Sequence, residues 1–237
     1  MKLGIMQPYF LPYIGYISIM KHTDMFILLD EVQFIRHGWI ERNRILKPSE
    51  GWQYIQVPLQ KHKQTELIRN IKINNDLDWG KKILAQIEHY KKKAPYYRRV
   101  VELLKEIFSK QYTTIVELNK DSINAVCEYL SIKKDVRVFS EMGLTIDPVS
   151  ESDEWALNIS KALHASEYRN PPGGMSIFNK EKYDNANIAL VFHEVITEEY
   201  PQKTNQPFIP NLSILDVLMF NSPETVNLML DHFNTRN

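Results

Sequence analysis

The chain has 237 residues, with 29 Lys and Arg against 29 Asp and Glu, so its formal charge at pH 7 is zero and its pI about 7.1. That balance argues against a nucleic-acid coat or a polybasic membrane tether, and leaves any anion site to be local. The single cysteine, Cys127, excludes an intrachain disulfide and a cysteine-based zinc finger. It fits a reducing setting, and its place in the amphipathic run SINAVCEYL makes it a core residue rather than a nucleophile. The N-terminus lacks a signal-peptide pattern, and no apolar stretch approaches the roughly 18 to 20 residues of a membrane span. The expectation is a soluble cytoplasmic protein with no membrane insertion and no nucleic-acid partner.

Lys2–Met6 is a short apolar run stopped by Gln7-Pro8, because proline offers no ladder donor and biases its predecessor towards extended backbone. This predicts a first strand. Pro12 is placed to open a helix in which Ile14, Ile17, Ile19 and Met20 recur at roughly helical spacing up to Thr23-Asp24. Met25–Leu29 reads as a second strand that ends in Asp30-Glu31. Parallel α/β sheets bind ligands at the carboxyl ends of their strands. Gln7 and Asp30 would therefore share an edge, close to a helix N-terminus suited to an anion.

Arg36, His37, Trp39, Arg42, Asn43 and Arg44 follow Asp30 closely, and arginine suits bidentate contacts with phosphate or carboxylate. A solvated, salt-bridged loop would explain them too; their pairing with Asp30 and Gln33 favours a site. Gly51–Pro58 and Leu67–Ile73 have strand character and could pair as a hairpin or join a sheet, with His62 on the polar connection between them. Three helices are expected between Trp79 and Leu130, with breaks near Ala94-Pro95 and Gln111–Thr114, as a helical insertion over about 76–131. Lys91, Lys92, Lys93, Arg98 and Arg99 read as solvated helix faces there.

Lys134–Phe139 is a further strand, and Ser152 or Asp153 can cap a helix over Trp155–Leu163. Ser166–Lys180 carries two prolines and two glycines and reads as irregular, with Gly173-Gly174 free to take φ > 0 or to let a ligand approach. Asn187–Phe192 is the last strong strand candidate, ahead of Leu212–Phe220 and a C-terminal helix over Pro223–Phe233. Asp216 is read as capping or pairing near a helix. With no linker, repeat or low-complexity segment, residues 1–237 read as a single α/β domain with a central, mostly parallel sheet. Zinc-type histidine spacings, GxGxxG and the P-loop pattern are all missing, so no metal site is assigned from motifs.

The ordered string Gln7-Pro8, Pro12, Gly15-Tyr16, Leu29-Asp30, Val32-Gln33-Phe34, Trp39 and Arg42-Asn43-Arg44-Ile45 resembles the WbqC-like protein family. Tyr168, Gly173-Gly174, Tyr183, Pro210, Ser213, Asp216 and Asn221 extend the resemblance over the whole chain. Members are usually encoded with surface-polysaccharide and O-antigen genes. The resemblance thus implies a role in bacterial lipopolysaccharide or other cell-surface polysaccharide biosynthesis, with glycyl-type or acyl transfer to an amino sugar as the expected chemistry. Tyr13-Ile14-Gly15-Tyr16 is also similar in placement to the His-Ile-Gly-His of nucleotidylyltransferases and class I synthetases, which implies a nucleotidylyltransferase-like (HUP or Rossmann-like) scaffold. Both histidines are tyrosine here, and tyrosine cannot supply imidazolium charge near pH 7.

Three mechanisms follow. In acyl or aminoacyl transfer to an amino sugar or sugar nucleotide, His37 is the candidate base, Gln7 or Asn43 the donors to the oxyanion, and Arg42 and Arg44 the phosphate clamp. Tyr16, Gln33, Trp39, Gly173 and Gly174 complete the expected substrate contacts, Asp30 joins the catalytic set, and an acyl carrier or CoA is the candidate donor. No nucleophile elbow is present, so the transfer would be direct. In nucleotidyl or adenylyl transfer, Asp30 and Glu31 would hold Mg²⁺, the one cofactor considered. In a non-catalytic sugar- or carrier-binding module, Trp39 and Trp52 would provide stacking faces.

Overall fold

In the computed structural model, which describes residues 1–237, the two N-terminal apolar runs become neighbouring parallel strands. β1 (Lys2–Met6) is followed by α1 (Ile14–Lys21) and β2 (Met25–Leu28), with Leu3 opposite Met25 and Met6 opposite Leu28. Next come an antiparallel hairpin, β3 (Arg42–Leu46) and β4 (Trp52–Gln56), and three helices, α2 (Trp79–Gln86), α3 (Tyr97–Ser109) and α4 (Ile115–Tyr129). The chain then returns to the sheet through β5 (Asp135–Val138), α5 (Glu154–Ala162), β6 (Glu167–Asn170), α6 (Lys180–Asn185) and β7 (Ala189–Val195). α7 (Ile214–Phe220), α8 (Pro223–Asp231) and β8 (Phe233–Arg236) complete it.

The six-stranded sheet runs β5-β2-β1-β6-β7-β8; the first five are parallel and β8 is an antiparallel edge strand. The pleat divides the strand residues between two cores. Phe26 and Leu28 join α1, α4, α7 and α8 in a cluster of 46 buried residues that also takes in side chains of α2, α3 and the hairpin. Leu3, Ile5, Ile27, Leu29, Tyr168 and Leu190 face α5 and α6 in a cluster of 14. The fold is thus α/β, with helices on both faces of a mostly parallel sheet.

Four local expectations differ from the structure. Leu67–Ile73 is not a strand: Ile68–Asn70 makes a 3₁₀ turn whose Ile68 and Arg69 amides bond the carbonyls of Val32 and Asp30, leaving only isolated bridges, Gln33 to Leu67, Leu59 to Ile73 and Lys72 to Thr114. The partner of β4 is instead the arginine-rich segment read above as a site or solvated loop. There Asn43 and Ile45 turn inward while Arg42 and Arg44 lie against aromatic rings. Ser166–Lys180 opens with β6, a strand whose buried Arg169 is neutralised by Glu167 at 2.5 Å. The last helix stops at Asp231, and Phe233 starts β8, stacking on His193 at 4.0 Å.

At the entrance to α5, Asp153 is the N-cap residue but caps with no side-chain bond; its carboxylate meets Lys182 at 3.2 Å. Glu154 takes the amide of Ser150, the ammonium of Lys182 and the amide of Glu151, and these bonds hold its carboxyl down to about 2.

Candidate functional site

The order of strands reverses between β1 and β6, since β1 leads to β2 on one side and β6 leads to β7 on the other. Open α/β sheets carry their ligands at such a switch point. A cavity of about 1320 Å³ opens there, lined by 25 residues of which 15 are hydrophobic. The ends of β1 and β6 contribute Met6, Gln7, Pro8, Asn170 and Pro171, and the chain leaving β2 contributes Glu31, Val32 and Gln33. Tyr9, Tyr13 and Tyr16 enter from the start of α1, Trp39 and Arg44 from the hairpin, and Trp155 and Ala156 from α5.

The α1 side is an aromatic wall. Tyr9 stacks on Trp39 at 5.9 Å and meets Tyr16 edge-on at 5.7 Å, while the Tyr16 hydroxyl donates to the Gln7 carbonyl at 3.0 Å. Burial pushes the Tyr9 and Tyr16 hydroxyls above their ordinary range, so both are neutral near pH 7. Arg44 is the one cation lining the cavity and Glu31 the one carboxylate. The Arg44 guanidinium lies 5.3 Å from the Trp39 ring and 5.2 Å from Trp52, and donates to the Asn211 carbonyl at 3.1 Å. Its Nε is buried with no protein partner. Glu31 pairs with Arg69 at 2.5 Å.

Of the residues singled out from sequence, Gln7, Tyr16, Gln33, Trp39 and Arg44 line this cavity; Asp30, His37, Arg42, Asn43, Gly173 and Gly174 do not. Asp30 is buried, and its two oxygens accept from the amide and hydroxyl of Ser140 at 3.0 and 2.6 Å, which ties β2 to the turn after β5. With Asp30 held this way and Glu31 paired to Arg69, the expected Mg²⁺ pair is not assembled; no group of three or more His, Cys, Asp or Glu is placed to hold a metal. His37 is exposed on a turn with φ 62°, and its carbonyl receives the Arg42 guanidinium. Arg42 also donates to Gly38 and lies 4.2 Å from the Tyr54 ring centroid.

Asn43 is a buried strut. Its Nδ2 donates to the carbonyls of Phe10 and Leu11 and its Oδ1 accepts from the Arg44 amide, fixing the loop before α1 to the strand that presents Arg44. Gly173 and Gly174 form a 3₁₀ turn in which a Cβ on Gly174 would sit 2.3 Å from Asn170 Oδ1. A Cβ on Gly15 would lie 2.4 Å from the Tyr13 ring, so the space above this helix N-terminus is filled by the chain's own side chain. In the His-Ile-Gly-His arrangement that glycine admits a nucleotide.

Tyr9, Tyr13, Trp155, Asn170 and Asn211 line the cavity without having been singled out as site residues. Tyr9 and Tyr13 had a signal, their position between the first strand and the first helix; Asn170 had none while its strand was read as loop. Asp216 lies elsewhere, fully buried, and accepts from Tyr90 and Tyr200 hydroxyls at 2.6 Å each and from Gln202 at 3.0 Å. Burial raises its carboxyl to about 6. No helix is long and apolar enough to cross a membrane.

An uncharacterized protein of Mycobacterium tuberculosis (strain ATCC 25618 / H37Rv), Rv1507c, is 29% identical over 219 residues, which cover 92% of each chain. No solved structure matches the chain. The WbqC-like family model matches residues 7–228, running from Gln7 at the cavity floor into α8. That span takes in the cavity's aromatic wall, its arginine and both sides of the strand reversal, and the chain belongs to the WbqC-like protein family.

Proposed function

We propose that the chain transfers an acyl or aminoacyl group to an amino sugar carried as a sugar nucleotide, in bacterial cell-surface polysaccharide biosynthesis. The observation that carries this reading is the cavity at the strand reversal. Its volume of about 1320 Å³ exceeds the roughly 300–1,000 Å³ of ordinary ligand pockets, leaving space for two reactants together. The Tyr9–Trp39 stack offers a face for a base or sugar ring, and Arg44, the cation lining the cavity, offers a charge to a phosphate. The role first considered for His37 passes to Glu31, the carboxylate at the cavity, which takes the proton released as the amine nitrogen adds to the donor carbonyl. The amides of Gln7 and Asn170 are the donors for the oxygen on which negative charge develops.

The strand order β5-β2-β1-β6-β7 supports a HUP- or Rossmann-like scaffold. Nucleotidyl transfer ranks second on that scaffold, since Tyr13 covers Gly15 and no carboxylate cluster is formed. The test is a thermal-shift titration with UDP-N-acetylglucosamine. At a hundredfold excess over Kd a ligand of the folded state adds about 2.7 kcal/mol, or about 5–10 °C in a chain of this size. The shift is expected in wild type and absent in Arg44→Ala; no shift with any sugar nucleotide would remove the reading. Glu31→Gln should keep the shift and lose turnover. If wild type itself binds without turning over any acyl donor, the binding-module reading replaces the enzyme.

A further inference from the structure

We infer that the α5 side of the cavity is an acyl-chain site, so that the group transferred is an apolar acyl chain delivered as a thioester rather than a glycyl unit. This rests on the group-transfer reading above and narrows it. The cavity straddles the two cores of the fold. On one side Tyr9, Tyr13 and Tyr16 belong to or pack on the larger core, beside Arg44. On the other, Ile5, Leu29, Trp155, Ala156 and Phe178 belong to or pack on the smaller core. The wall those five make carries no charged group. Val32 packs against both cores, which puts its neighbour Glu31 at the junction of the two halves.

Such a wall discriminates between donors. A glycyl group ends one carbon from the reacting carbonyl, at the junction where Glu31 lies, and would leave that wall against water. An alkyl chain covers it and gains from exchanging water for hydrocarbon. Ala156, on α5, is the smallest of the five side chains that line this half. At the rim Ile35 and Ile177 are 58% and 53% exposed, large apolar side chains set in solvent where a chain would enter. In the step, the sugar amine nitrogen bonds to the thioester carbonyl carbon and the carbon–sulfur bond breaks. Its electron pair leaves on sulfur, and the proton shed by nitrogen passes through Glu31 to the thiolate, giving an amide and a free thiol.

The test titrates the whole protein with acetyl-, butyryl-, hexanoyl- and octanoyl-pantetheine, neutral probes that differ only in chain length, and reads tryptophan fluorescence. Kd is expected to fall by about fourfold per added methylene until the half-cavity is full. Ala156→Trp should abolish that dependence, and Ile177→Ser, a change at a half-exposed side chain, should flatten it. Equal Kd for all four probes would overturn the inference. So would a chain-length dependence undiminished in Ile177→Ser and in a folded Ala156→Trp; if Ala156→Trp does not fold, Ile177→Ser decides. UDP-N-acetylglucosamine titrated in the same samples separates the two readings. Binding of the sugar nucleotide without chain-length dependence removes the acyl site alone. Chain-length dependence without sugar-nucleotide binding upholds the acyl site and removes the group-transfer reading.

Discussion

Asp216→Asn should expose a balance between two buried groups. Asp216 accepts three hydrogen bonds, from Tyr90 on one oxygen and from Tyr200 and Gln202 on the other, and the Tyr90 hydroxyl in turn accepts the amide of Leu46 at the end of β3. An asparagine keeps the shape but turns an NH₂ towards at least one of these donors, a cost of about 1–3 kcal/mol near neutral pH. Burial raises the folded carboxyl from 3.8 to about 6, so between those values the folded state holds a proton that the unfolded chain has released. The stability it contributes is complete below 3.8 and falls by about 3 kcal/mol as pH rises to 6.

His193 has the opposite sign. The Ser18 hydroxyl donates to the Leu230 carbonyl, so His193 Nε2 must donate to Ser18, and Nδ1 faces Arg169. Burial first, and Arg169 second, push its imidazole from 6.5 down to about 3. Its contribution is present above 6.5 and is lost as pH falls to 3, by up to about 5 kcal/mol. Between pH 4 and 6 the two slopes oppose each other in the wild type. Urea denaturation at a series of pH values reads the result directly. Asp216→Asn should gain about 2 kcal/mol relative to wild type as pH rises through that window, because the carboxyl that opposes the histidine limb is gone. Parallel curves for the two proteins would refute the argument by showing that Asp216 does not titrate there.

Three further substitutions test the frame of the site. Asn43→Ala strands the Phe10 carbonyl and the Arg44 amide, and leaves the Leu11 carbonyl with only the Ser213 hydroxyl. It should cost about 2–4 kcal/mol and lower the thermal midpoint by about 5–10 °C, and a midpoint within a degree or so of wild type would deny Asn43 its bracing role. Gly174→Ala forces a Cβ to within 2.3 Å of Asn170 Oδ1, whereas Gly173 has open space. The first should destabilise by about 1–3 kcal/mol and the second should be neutral or slightly stabilising, as chemical denaturation would show; equal effects would contradict the packing described. Thr114→Ala removes half of the capping box that Thr114 and Glu117 form at the start of α4, and should lose about 1 kcal/mol on the same assay.

The elements that the sequence revealed are those whose burial is apolar. β1, β2 and most of β7 show as short hydrophobic runs, and α3 and α4 carry helical periodicity, because their inner faces are mostly hydrocarbon. β6 stayed hidden although it is central. Its sequence, Glu-Tyr-Arg-Asn, is polar because the Arg169 charge is neutralised within the strand and its guanidinium reaches His193 on β7. The site was half legible for the same reason. Gln7, Tyr16, Gln33, Trp39 and Arg44 cluster because the start of α1 and the hairpin both face the strand ends. Asp30 and Asn43 looked reactive because their partners, Ser140 and the Phe10–Leu11 carbonyls, are remote in sequence and supply bonds no local pattern shows.

The place of β6 has a consequence for synthesis on the ribosome. β1 is made first, yet its second neighbour in the sheet, paired Lys2 to Glu167 and Gly4 to Arg169, is more than 160 residues away. At about 5–20 residues per second, the nascent chain waits on the order of 10–30 s with one side of β1 unpaired. Through that interval β1 presents free backbone donors and acceptors to any extended segment nearby, and the half-built sheet depends on chaperone cover or on dilution to avoid pairing between chains. The cavity at the strand reversal, which needs residues from both strands, is among the last parts of the molecule to exist.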